Sequence, residues 1–161
     1  MEESLHYLIM ANQALVQKAL LERLKASGLT IGQPKVLDYL KDHDGANQKQ
    51  IAAGCLLEAG SLTSILNRME EKGLIERRML NGNRRTFHIF MTEDGKQKQK
   101  LVDETFSKIE EKATNGISKE ELAISLKVYE KIYQNLLSKN EIETVDGNHC
   151  QNEGKTTNES K

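Results

Sequence analysis

Gly60-Ser61-Leu62-Thr63-Ser64-Ile65-Leu66-Asn67-Arg68-Met69-Glu70-Glu71-Lys72-Gly73, followed by Leu74-Ile75-Glu76-Arg77-Arg78-Met79, is the stretch on which the fold turns. In its first part Leu62, Ile65, Leu66 and Met69 recur at three- and four-residue steps, the stripe of an amphipathic helix, and Gly73 suits the left-handed position that closes one. After Gly73 the pattern becomes that of extended chain. A second extended run, Arg84-Arg85-Thr86-Phe87-His88-Ile89-Phe90-Met91, follows Asn81-Gly82-Asn83. Asn-Gly between two such runs signals a β-hairpin, because both central residues of its tight turn need positive φ.

Upstream, Asn47 has the place of an N-cap for a short helix from Gln48 to about Leu57, with Ile51, Ala52, Cys55 and Leu56 inward. A break at Ala59-Gly60 separates it from the helix that follows. Two short helices only a few residues apart form a helix-turn-helix, and a hairpin directly after the second is a wing. Farther out, apolar residues from Leu5 to Leu24 predict one long amphipathic helix ending at Gly28. Thr30 and Gln33 have capping-box spacing with Pro34 in the first turn, so a helix carrying Val36, Leu37 and Leu40 is expected to begin near Ile31. Thr92 is read as the cap of another long helix, with Leu101, Val102, Phe106, Ile109 and Ala113 on one face. Ser118 and Glu121 form the capping box of a last one, striped by Leu122, Leu126, Tyr129, Tyr133 and Leu136.

The expected fold is mainly α with a small β-hairpin wing, an α+β winged helix-turn-helix. Four segments are expected: a first helix in 1–28, a helix-turn-helix with its wing in 29–96, two further helices in 97–139, and a polar tail over 140–161. The tail has too little apolar content to offset its ordering entropy. Aromatic residues make up only 4% of the chain, with no Trp and one Pro, which argues against a β-sandwich and for helices packed through Leu, Ile and Ala.

The net charge of -1 gives no hint of nucleic-acid binding, but it averages over a segregated chain. From Gly60 to Lys100 nine Lys and Arg residues face five Asp and Glu, an excess of four positive charges, while the stretch from Asn140 is acidic on balance. A solvated helix face is the plain reading of such charges taken alone. The acidic start Met1-Glu2-Glu3-Ser4 is unlike a secretory signal, and no stretch approaches the roughly 20 apolar residues of a membrane span, so a cytoplasmic protein is expected. Cys55 and Cys150 offer no disulfide framework or CxxC pair. His6, His43, His88 and His149 are scattered without metal-ligand spacing, so no metal or cofactor is expected. Neither a nucleophile-base set nor a phosphate-binding glycine loop is present, which argues against an enzyme.

The run Leu57 to Arg77, with Asn83-Arg84-Arg85 and Met91-Thr92-Glu93-Asp94-Gly95, resembles the MarR family of bacterial regulators. The resemblance is close over about Leu29 to Lys96. It implies a homodimer, with the outer helices interlocked, that binds a pseudo-palindrome in double-stranded DNA, and a possible small-molecule effector at the junction of dimerising and DNA-binding parts. Helical geometry agrees: with the apolar stripe inward, Ser61, Ser64 and Arg68 face outward, flanked by Gly60, Thr63 and Asn67, in position for base edges or phosphates. The same Gly, Ser and Thr residues would also serve simply to start a helix. Arg84 and Arg85 at the wing tip could reach a minor groove, or only solubilise the hairpin. The family pattern there is Asp-x-Arg, and here Asn83 replaces the Asp and brings no charge. Gln48 and Lys49 open the first helix of the pair, where contact with the DNA backbone and an ordinary polar helix start are both possible. The family's peroxide-sensing branch uses a first-helix cysteine, and none lies between Met1 and Gly28. The competing reading is a winged-helix module that binds protein and has no affinity for DNA.

Overall fold

The computed structural model describes residues 3–80 and 86–137. These divide into two compact units between Asn115 and Gly116. The first contains α1 (Leu5–Leu24), a 3-10 turn (Lys25–Ser27), α2 (Gln33–Asp42), α3 (Gln48–Gly54), α4 (Ala59–Glu71), strands β1 (Ile75–Met79) and β2 (Phe87–Met91), and α5 (Glu93–Ala113). The second contains α6 (Lys119–Leu137).

One core holds the first unit together. Val36, Leu37 and Leu40 of α2, Ile51 of α3, and Leu62, Leu66 and Met69 of α4 are sealed from solvent with Leu24, Ile89 and Val102. The expected stripe of α4 is the buried face. Gly73 closes that helix in the left-handed region, φ 69°, donating to the Glu70 carbonyl at 2.9 Å while Leu74 donates to Met69 at 2.9 Å. Both Leu74 and Met69 are buried, so the hydrophobic contact that usually accompanies this cap is available.

The helix boundaries depart from expectation in three places, each for a local reason. α2 starts at Gln33 rather than near Ile31, with Gly32 as N-cap at φ 86°. Gln33 does reach back to the Thr30 amide at 3.0 Å, but Thr30 is a turn residue three positions before the helix, so only half of the expected capping box forms. α3 ends at Gly54, three residues early. Leu56 adopts a left-handed backbone, φ 50°, its amide bonded to the Ala53 carbonyl and that of Leu57 to Ala52, so a leucine occupies the position glycine usually fills. Leu56, expected inward, is therefore 57% exposed. The break lies at 55–58, and Ala59 and Gly60 belong to the first turn of α4.

β1 and β2 pair antiparallel from Ile75 opposite Met91 to Met79 opposite Phe87. Seven residues join the strands. The antiparallel hairpin expected from the sequence is present, and its Asn81-Gly82 turn lies outside the described residues. A further pairing had no sequence signal: Asn47 bridges His88, the Gly45 amide donates to Ile89, and the Ile89 amide donates to Ala46. The Met91 amide adds a bond to the Asp44 carboxylate at 2.8 Å.

α5 begins as expected, Thr92 Oγ1 accepting from the Gly95 amide at 3.1 Å. Its buried positions are Gly95, Gln99, Val102, Thr105 and Ile109, whereas Leu101 and Ala113, expected inward, are exposed. α1 buries Leu20 and Leu24 and leaves Leu5, Leu8, Leu15 and Val16 exposed. α6 is opened by the expected box, Ser118 Oγ accepting from the Glu121 amide at 3.2 Å and the Glu121 carboxylate accepting from the Ser118 amide at 2.9 Å. The Ser118 hydroxyl, donating to that carboxylate at 2.7 Å, and then the Ser118 amide hold the Glu121 carboxyl below its ordinary range. Ile124, Leu126, Tyr129, Tyr133 and Leu136 of α6 are exposed.

Candidate nucleic-acid interface

The sequence places small polar residues at the start of α4 because the four apolar positions take the inner face and leave the outer one free of packing constraint. Gly60, Ser61, Thr63, Ser64, Asn67 and Arg68 are all exposed. Along the outer row Ser64 Oγ donates to the Gly60 carbonyl at 3.4 Å and Arg68 Nε to the Ser64 carbonyl at 3.2 Å, which lays the arginine stem along the helix. Ser61, Ser64 and Arg68 also border an open cleft of about 710 Å³ together with Thr30 and Ile31.

The flanking row is held from both sides. Thr63 Oγ1 donates to the Ala59 carbonyl at 2.9 Å and accepts from Gln48 Nε2 of α3 at 2.5 Å. Asn67 Oδ1 accepts from Arg77 Nη2 of β1 at 2.8 Å, and the other arm of that guanidinium pairs with Glu70. Lys49 is exposed beside Gln48 at the start of α3, where Asn47 and Gln50 exchange side-chain and backbone bonds of 2.9 Å in a capping box. Asn83, Arg84 and Arg85, the expected tip of the wing, lie outside the described residues. So does the polar tail from 140 onward.

The positive excess read from the sequence is partly spent inside the protein. Arg77 pairs with Glu70, while Arg78 pairs with Glu76 and lies 4.8 Å from the centre of the Phe90 ring. Lys72 donates to the Gly28 carbonyl at 2.6 Å and Lys98 to the Ser27 carbonyl at 2.9 Å, so two lysines cover carbonyls left open where α1 and its 3-10 turn end. Nothing in the local sequence marks these roles, because the partners are 44 and 71 positions away. The Arg77 clamp left one faint sign, an arginine on the same strand face as the buried Ile75.

Among the described residues no group of three or more His, Cys, Asp or Glu is placed to hold a metal. Cys55 is buried, its Sγ 3.6 Å from the Lys35 carbonyl, and burial pushes its thiol up to about 11.

This arrangement has close counterparts. The family model described as MarR family matches residues 29–87. The organic hydroperoxide resistance transcriptional regulator of Bacillus subtilis (strain 168) is 33% identical over 104 residues, covering 64% of this chain and 71% of that protein. Among solved structures, the S. aureus MepR-DNA complex superposes with a TM-score of 0.76 at 23% identity, covering 84% of this chain and 99% of MepR. Streptococcus pneumoniae FabT in complex with DNA gives a TM-score of 0.65 at 25% identity, covering 81% and 93% of the two chains. The order of helices and hairpin, the match over 29–87 and the identity to the Bacillus regulator together establish that this chain belongs to the MarR family of transcriptional regulators.

Proposed function

We propose that the protein binds double-stranded DNA sequence-specifically as a homodimer and represses transcription from a pseudo-palindromic operator. The observation that carries this reading is α4: an outer face of Gly60, Ser61, Ser64 and Arg68 with no large side chain except a cation, on a helix locked from its flank by α3 and β1. A protein-docking face would be expected to carry apolar anchors, and this one carries none. Similar folds are solved in complex with DNA. Exposed apolar residues on α1 and on α6 are the surfaces a second copy would cover. No helix among the described residues is long and apolar enough to cross a membrane, in keeping with a protein acting on cytoplasmic DNA. Asn83, Arg84 and Arg85 are assigned to the minor groove or its phosphates, and Gln48 and Lys49 to the DNA backbone.

A cavity of about 570 Å³ bordered by α1, α2 and α5, with walls from Val16, Leu20, Pro34 and Phe106 and with Lys35 and Asp38 at its edge, is the place for a small-molecule effector. Ligand there would bias the spacing of the two recognition helices.

The test is a titration of operator and scrambled duplexes at several salt concentrations, the operator being found by selecting bound fragments of the source genome. Ser64→Ala should cost about 1 kcal/mol on the operator and little on scrambled DNA. Arg85→Ala should weaken both alike and lower the salt slope by about one phosphate equivalent per subunit. Failure of the unaltered protein to bind any duplex at any salt concentration would favour the protein-interaction module instead.

A further inference from the structure

Arg77 stands at a junction that no nucleic-acid contact requires. Its strand face is that of Ile75 and Met79, and its side chain is 18% exposed, against 55% for the neighbouring Arg78. From there the guanidinium reaches two residues of α4, Nη1 to the Glu70 carboxylate and Nη2 to Asn67 Oδ1. A guanidinium is a donor only, so whatever faces it must accept. The amide of Asn67 is thereby oriented: its oxygen turns to Arg77, and its NH2 group, with two N–H donors, is directed elsewhere. Asn67 itself is exposed, so the group being held is accessible while the group holding it is largely covered.

We propose that Arg77 is a positioning residue for DNA recognition, fixing the Asn67 amide so that it presents donors and selects base edges rich in acceptors, such as guanine N7 and O6 or thymine O4. The proposal rests on the DNA-binding reading above. A free asparagine amide has two orientations related by a half turn, offering an acceptor in one and donors in the other. An unheld Asn67 would accept either kind of edge and discriminate poorly. Glu70 supplies the anchor, because it takes one arm of a rigid planar fork and so fixes where the second arm points. Neither the charge of Arg77 nor its distance from DNA enters this role.

Full-length protein is used to select 30-bp duplexes (length chosen at about three helical turns) from a random-sequence library, with unaltered protein, Asn67→Ala, Arg77→Met and the double variant compared by relative affinity at each base pair. The expected result is that Asn67→Ala and Arg77→Met relax the same base pair in each half-site by about fivefold or more, and that the double variant relaxes it no further. Preference at other positions and the salt slope should stay as they were. A clamp that merely stabilised the fold would weaken all positions alike. The proposal is overturned if Arg77→Met leaves every preference intact, if the two single variants relax different positions, or if their effects multiply. Should Arg77→Met fail to fold, Arg77→Lys, which keeps the charge beside Glu70 but lacks the fork, replaces it under the same criteria. Unaltered protein that selects no sequence would overturn the DNA-binding reading itself, an outcome distinct from selection that Arg77 does not influence.

Discussion

Replacing Gly95 by Ala should destabilise the protein, although alanine is the better helix former. Gly95 is the third residue of α5, and a Cβ built there would lie 1.9 Å from the Leu74 carbonyl oxygen and 3.0 Å from its carbon. Carbon normally stays about 3.3 Å from a carbonyl oxygen, so one backbone must move by roughly 1.4 Å. Leu74 is poorly placed to yield. Its carbonyl accepts from the Thr92 amide at 3.1 Å, Thr92 Oγ1 donates to the Gly73 carbonyl at 2.5 Å, and the Leu74 side chain is buried. Overpacking costs about 1–3 kcal/mol, and the strained Thr92 to Leu74 bond adds about 1. Against this the helix gains about 1 kcal/mol from losing a glycine. The balance is a loss of about 2 kcal/mol, or a fall in Tm of about 4–8 °C for a chain of this length. Thermal unfolding by circular dichroism at fixed protein concentration reads the change, the concentration being held because a dimer's Tm depends on it. Gly60→Ala is the control: nothing lies within 4 Å of its Cβ, so stability should hold or rise. An unchanged or raised Tm for Gly95→Ala would refute the claim that α5 is seated directly on the entry to the hairpin.

Leu56→Asn should raise stability by about 0.5–1 kcal/mol, since asparagine tolerates the left-handed backbone better than leucine; a loss in chemical denaturation would show that the exposed leucine contributes more than its backbone costs. Cys55 should resist dilute organic hydroperoxide, because a buried thiol raised to about 11 stays protonated; mass spectrometric detection of sulfenic acid at that residue within minutes would contradict this. Burial raises the Asp38 carboxyl, the first of several influences in which Lys41 acts the opposite way. A carboxyl with a raised folded pKa costs stability once ionised, so Asp38→Asn should gain in Tm at pH 7 and lose that gain as the pH falls toward 4; an equal gain at both values would rule out ionisation as the cause.

The elements legible in the sequence are those with a local physical cause. The stripe Leu62, Ile65, Leu66, Met69 and the closing Gly73 are properties of one turn of chain after another, and α4 follows them closely. The caps at Asn47, Thr92 and Ser118 are legible for the same reason, each being a bond between residues three apart. What could not be read is set by distant partners. Leu56 is turned left-handed by how α3 must stop short for α4, although its own chemistry points inward. Gln99 and Thr105 displace Leu101 from the buried face of α5 because α1 and α2 pack on a line that apolar periodicity does not specify. At the candidate site the exposed row of α4 follows from its buried one. The partners Gln48 of Thr63 and Arg77 of Asn67 become visible only once three elements are brought together.

The bridge from Asn47 to His88 has a consequence for how the protein keeps to itself. With segment 45–47 on one side and β1 on the other, β2 is an inner strand, and among the described residues the far side of β1 carries no strand partner. Glu76, Arg77 and Arg78 stand in a row on that edge. An incoming strand would have to bring its backbone against three consecutive charged residues, two of them already paired with Glu70 and Glu76 through their guanidinium groups. Such an edge repels strand addition, the route by which small sheets polymerise. Contacts between copies are thereby steered away from the hairpin and toward helical surfaces, which can be matched once and closed rather than extended without limit.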